Sequence, residues 1–166
     1  MINRYLAVFI LFLAGLFNVA YSQNFKKLHD QVLDKLVISY YNIEAGVAIQ
    51  KLIDSNKNSK EDPIYEIGLI VYDKTIASDD FMKPNAIIVF DDQSYLEFKE
   101  EPKVNYLYSG KHSVFVKHKL TEEELEILQH KKMKFFRIYH LAKTFDKWQP
   151  EKLKEAFEKI QSEQID

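Results

Sequence analysis

Cysteine is absent from the 166 residues. Disulfide stapling, thiol catalysis and lipid attachment through cysteine are therefore excluded. Glycine is scarce: four residues in all leave no phosphate-cradling loop. Neither a Gly-x-Ser-x-Gly elbow nor a Ser-x-x-Lys start occurs, which removes the usual settings of a serine nucleophile. Acceptor sequons for asparagine glycosylation are missing too, since Asn58-Ser59-Lys60 fails at its third position, and this favours a bacterial origin over a glycosylating secretory route. Past the first two dozen residues there is no second long apolar run, so the bulk of the chain is expected to be soluble.

The one apolar block that is present stands at the start. Met1-Ile2-Asn3-Arg4 supplies a positive side chain, and the thirteen residues from Tyr5 to Phe17 are uncharged and strongly apolar. Ala20 and Ser22 then place small side chains where a signal peptidase requires them, predicting a secretory signal over 1–22 with cleavage after Ser22. The alternative is an uncleaved anchor, but the block is short against the roughly twenty residues of a spanning helix. The expected location is secreted or periplasmic. Loss of Arg4 would leave 22 basic against 25 acidic residues, a mild acidity that argues against nucleic acid or an anionic membrane as partner. Residues 23–166 suffice for one domain with its own core.

Within that span the only clear polar break is Asp54 to Pro63, an exposed loop. Residues 25–53 carry two competing periods. Leu28, Val32, Leu36 and Tyr40 fall at helical spacing, whereas Leu36 to Tyr41 is β-branched and aromatic in composition. A short helix or loop near 25–34 followed by strands near 35–43 and 46–53, turning at Glu44-Ala45-Gly46, is the preferred reading; one long helix is the alternative. Strands are expected over Ile64–Asp73 and Ala86–Phe90, with a hairpin through Asp91-Asp92-Gln93-Ser94 to Tyr95–Phe98. A second hairpin pairs Val104–Tyr108 with Ser113–Lys119 across Ser109-Gly110-Lys111. Thr121-Glu122-Glu123-Glu124 is a capping box, flanked by Leu120 and Leu125, that starts a helix to about 131. Phe135–Tyr139 reads as a central strand buried on both sides except at Arg137. Pro150 opens a last helix to about Glu163, with Leu153, Ala156, Phe157 and Ile160 as its apolar stripe. The resulting class is α+β: one antiparallel sheet of about six to eight strands with two packed helices, near 121–131 and 150–163.

Chemistry is thin. His29, His112, His118, His130 and His140 are the candidate metal ligands, but His112 and His118 share one strand face at a separation of roughly 20 Å, too far for one ion. Exposed or hydrogen-bonded histidines are the preferred account. Asp79-Asp80 and Asp91-Asp92 sit in predicted loops, where aspartate serves turns more often than acid–base work. No catalytic, metal or cofactor site is expected. The charge runs Glu97–Glu101 and Lys117–Lys119 read as solvated strand ends. Aromatic residues are the compositional excess, with 10 Tyr and 12 Phe. Most belong in a core, but Tyr106 and Tyr108 on an open hairpin face would offer a contact surface for a peptide, glycan or protein.

The Ser22-Gln23 start, the strand Ile88-Val89-Phe90-Asp91-Asp92, and Leu120-Thr121-Glu122-Glu123-Glu124-Leu125 leading into Phe136-Arg137-Ile138 together resemble a loose class of small, uncharacterised exported proteins of Bacteroidetes-type bacteria. The motifs of that resemblance are structural and imply no activity, cofactor or catalytic residue. The expectation is an exported, non-catalytic binding or accessory protein. A small extracytoplasmic enzyme and a structural subunit of a surface assembly are the alternatives.

Overall fold

The computed structural model describes residues 24–30, 34–42, 44–54, 62–73, 86–100, 103–106 and 112–163. The expected signal 1–22, the loop 55–61, Asp79-Asp80, Tyr108 and the turn 109–111 lie outside them. Ten strands and two helices are described: β1 (Asn24–Asp30), β2 (Lys35–Asn42), β3 (Val47–Asp54), β4 (Ile64–Asp73), β5 (Ala86–Phe90), β6 (Tyr95–Phe98), β7 (Lys103–Tyr106), β8 (His112–Lys119), α1 (Glu122–His130), β9 (Met133–Ile138), β10 (Leu141–Thr144) and α2 (Gln149–Ser162). The class is α+β as expected, but the single sheet is not found. The strands divide into a six-stranded sheet, in the order β1-β2-β3-β4-β8-β7, and a four-stranded one, in the order β10-β9-β5-β6. The pairings among the described strands are antiparallel.

Two sheets form because two sets of strands each carry a buried apolar face. Val114 and Val116 pair with Val71 and Leu69 and are buried, while Ala86, Ile88 and Phe90 are buried on a different strand set. Each sheet thus has an apolar face to cover, and the two faces cover one another. β9 and β10 pack against β4, and β9 also against β8. Over β2 and β3 the same inner face is covered by α2, which also packs on α1. One continuous core results, running from Ile38 and Ile49 through Leu69 and Phe136 to Leu128 and Phe157.

The segment expected to be a short helix or loop near 25–34 is β1 over most of its length, paired with β2 from Asn24↔Tyr41 to Asp30↔Lys35. The helical spacing misled because Leu28, one of its four apolar positions, is 48 % exposed. The strand is held instead by the alternate residues Phe25 and Lys27: Lys159 of α2 sits 4.3 Å over the Phe25 ring, and Lys27 pairs with Glu163 at 2.6 Å. The β2–β3 turn is as expected. Gly46 has φ +69°, and a Cβ there would lie 2.3 Å from the carbonyl oxygen of Ile70, whose amide donates to the Gly46 carbonyl at 2.8 Å. Only glycine fits this approach.

β9 is internal to its sheet as expected, but it is buried on one side only. Phe136 and Ile138 are fully buried, whereas Phe135 and Arg137 are half-buried. The reason is topological: β9 belongs to the outer layer, so one face meets the core and the other meets solvent. A register shift between Val89 and Phe90 returns Met133 to the core side.

The capping box at Thr121 forms in full. The Thr121 hydroxyl accepts from the Glu124 amide at 3.2 Å and the Glu124 carboxylate accepts from the Thr121 amide at 2.8 Å. Helix α2 begins differently, with Pro150 in its first turn and Gln149 Oε1 accepting from the Asp146 amide at 2.8 Å. No helix among the described residues is long and apolar enough to cross a membrane.

Candidate functional site

The face of the four-stranded sheet turned away from the core is built from alternate residues of four strands. Pairing places Tyr95, Val89, Phe135 and Thr144 in one cross-strand row, and Glu97, Ile87, Arg137 and Ala142 in the next. Tyr95 is 63 % exposed, Glu97 is exposed, and Ile87, Val89 and Phe135 are half-buried. Aromatic and β-branched neighbours at cross-strand spacing form a continuous apolar strip. Arg137 stands in the middle of it on an internal strand, its Nε buried and without a hydrogen-bond partner. A guanidinium is always charged, and five donors with no acceptor make an unmet demand. What this arrangement can do is hold an apolar or aromatic surface while Arg137 takes an oxygen acceptor.

In the sequence Arg137 stands out only as the polar exception in its strand, and Glu97 falls within a charge run that reads as a solvated strand end. The signal available was the period of two, which puts Tyr95 with Glu97, Ile87 with Val89 and Phe135 with Arg137 on one side of each strand; what it lacked was the strand order.

A second cluster centres on His118, whose side chain is 12 % exposed. Its Nδ1 lies 2.7 Å from Glu100 Oε2 and its Nε2 lies 2.9 Å from Glu124 Oε2. The ring is stacked on Phe98 at 4.3 Å between centroids. Both partners are acceptors when ionised, so both bonds form at once only when each ring nitrogen carries a hydrogen. Burial raises the pKa of Glu124, but the amide of Thr121 and the imidazole of His118 outweigh it and hold the carboxyl below its ordinary value. The imidazole has no nitrogen left for a substrate. The cluster works as a clasp joining β8, the end of β6 and the first turn of α1, with His118 as a hydrogen-bonded histidine.

The other singled-out residues are dispersed. Tyr106 lies on β7, its backbone opposite His112 on β8, which bears out the expected hairpin pairing; the side chains of Tyr106 and His112, and all of Tyr108, lie outside the description. His29 meets Asp34 at 3.3 Å near the β1–β2 turn. His130 and His140 are exposed. Among the described residues no three His, Asp or Glu side chains converge in a way that would hold a metal ion. Asp92 does serve a turn. Its Oδ1 accepts from the Ser94 amide at 2.9 Å, and Lys131 donates to its other oxygen at 2.7 Å. Those bonds, that of Lys131 first, lower the Asp92 pKa to about 2.

Lys51 was not foreseen. It projects from β3 on the core side beside Ile38 and Tyr65, is 5 % exposed, and donates to the carbonyl oxygens of Gln161 at 2.9 Å and Glu163 at 2.7 Å. It thereby satisfies the end of α2 and meets the negative pole of the helix. Burial lowers its pKa, with Glu163 opposing.

Comparison of the chain with protein-family models, with curated proteins and with solved structures gives no match.

Proposed function

We propose that this chain is an exported, non-catalytic binding or accessory protein whose contact surface is the outer face of the four-stranded sheet. The observation that carries the reading is the strip of exposed Tyr95 with half-buried Val89, Phe135 and Ile87 around an arginine whose Nε is buried without a hydrogen-bond partner. Tyrosine and arginine are the residues most enriched where binding energy concentrates, and a flat aromatic face suits a macromolecular partner better than a small molecule. Export is supported by the n-region at Arg4, the apolar run 5–17 and the small residues at 20 and 22. The chain in its working compartment then starts at Gln23. Intact mass of the exported protein checks this, and retention of residues 1–22 would refute it.

The contact surface is tested by affinity capture from the native envelope fraction or medium, comparing the wild type with Arg137→Glu and with Tyr106→Ala/Tyr108→Ala. Loss of the captured species with Arg137→Glu alone is the expected result. Equal recovery by wild type and Arg137→Glu would sink the sheet-face reading. Loss only with the tyrosine pair would move the contact to the β7–β8 hairpin.

A further inference from the structure

The face just described is complementary to itself. Ile87 on β5 is paired on one side with Glu97 of β6 and on the other with Arg137 of β9, so the two charges flank β5 in one row. Val89, two residues on, is flanked in the same way by Tyr95 and Phe135. Strands lie about 4.8 Å apart, which puts each flanking residue at nearly equal distance from the line of β5. A two-fold axis laid along β5 in the plane of the face exchanges the flanks. Glu97 of each copy then lies over Arg137 of the other, Tyr95 over Phe135, and Ile87 and Val89 over their own counterparts. Among the described residues no hydrogen bond or ion pair engages Glu97 or Arg137.

We infer that the outer face of the four-stranded sheet docks a second copy of this chain about that axis, with two reciprocal Glu97–Arg137 pairs enclosing an apolar centre. This rests on the reading of the face as the contact surface and names its occupant. Closed, isologous dimers of this kind are the commonest symmetric assembly, and two sheets stacked face to face at about 10 Å leave room for interdigitated side chains. Two rows of four residues bury less than the roughly 800 Å² per partner of a standard interface. The dimer is accordingly weak, with a dissociation constant on the order of 100 μM.

Sedimentation of the purified exported protein from about 10 μM to 1 mM tests it. Wild type is expected to shift from monomer to dimer over that range. Glu97→Arg sets arginine against arginine, and Arg137→Glu sets glutamate against glutamate, twice in each dimer. Each variant alone should weaken association at least about tenfold. Mixing the two restores both pairs and should restore the dimer, as should the double variant Glu97→Arg/Arg137→Glu. A misfolded variant would not be rescued by mixing, so recovery separates interface loss from fold loss. The inference is overturned by a wild type monomeric throughout, by a dimer indifferent to both reversals, or by reversals whose loss neither mixing nor the double swap repairs. A monomeric wild type whose capture of another species still depends on Arg137 would refute the second copy and leave the contact face standing. If capture is also indifferent to Arg137, both readings fall.

Discussion

The two sheets place their central cations in opposite ways. Lys51 of the six-stranded sheet points inward, is nearly inaccessible, and spends its donors on the last carbonyls of α2. Arg137 of the four-stranded sheet points outward among half-buried apolar side chains and has no partner for its Nε. A buried ammonium that was not matched would cost several kcal/mol, so its bonds belong to the fold. An unmatched guanidinium near the surface costs the fold little, because water reaches part of it. The difference separates a charge that holds the molecule together from one that is free to hold something else.

The contrast can be broken at graded cost. The largest effect is expected at the turn behind the six-stranded sheet. Gly46→Ala would force a left-handed alanine into the Ile70 carbonyl oxygen, with an expected loss of about 3 kcal/mol in denaturant unfolding. Lys51→Met keeps the stem but orphans the carbonyls of Gln161 and Glu163. A loss of about 2 kcal/mol is expected, with faster amide exchange confined to the last turn of α2. His118→Ala opens the clasp between the sheets and α1, removing a stacked ring and two charge-assisted bonds; a loss of about 1–2 kcal/mol is expected.

Acid gives a smaller, directional effect. The carboxyls of Asp92 and Glu124 have folded pKa values below their ordinary 3.8 and 4.5. Their contribution is therefore fully present above those ordinary values and is lost as pH falls through the depressed ones, toward about 2 for Asp92. Carboxyl titration by NMR should find Asp92 still ionised near pH 3, and Asp92→Asn should flatten its share of the acid slope. Smallest of all, Arg137→Ala should change stability by less than about 0.5 kcal/mol. A loss comparable to that of Lys51→Met would show that Arg137 serves the fold, and the distinction between the two cations would collapse.

How much of this was legible in the sequence follows the range of the interactions involved. The capping box at Thr121 and the Asp92 turn depend on residues within three positions of each other, and both formed as read. So did the Gly46 turn and the apolar stripe of α2, since local backbone preference and helical periodicity are contained in short windows. The strand character of 24–30 was not readable, because Phe25 and Lys27 face inward only once Lys159 and Glu163, more than 130 positions away, are there to meet them. The split into two sheets was likewise hidden, since alternation marks a buried face without saying which other face buries it.

The sequence by itself determined the α+β class, the positions of most elements and the absence of thiol chemistry; it also carries the leader pattern from which export is argued. These are properties of composition and of short periods. Tertiary structure alone decided that Lys51 closes a helix, that His118 joins three elements, and that Glu97, Ile87 and Arg137 fall in one row. Strand order is set by how the sheets bury one another, and it brings together residues that no local pattern connects.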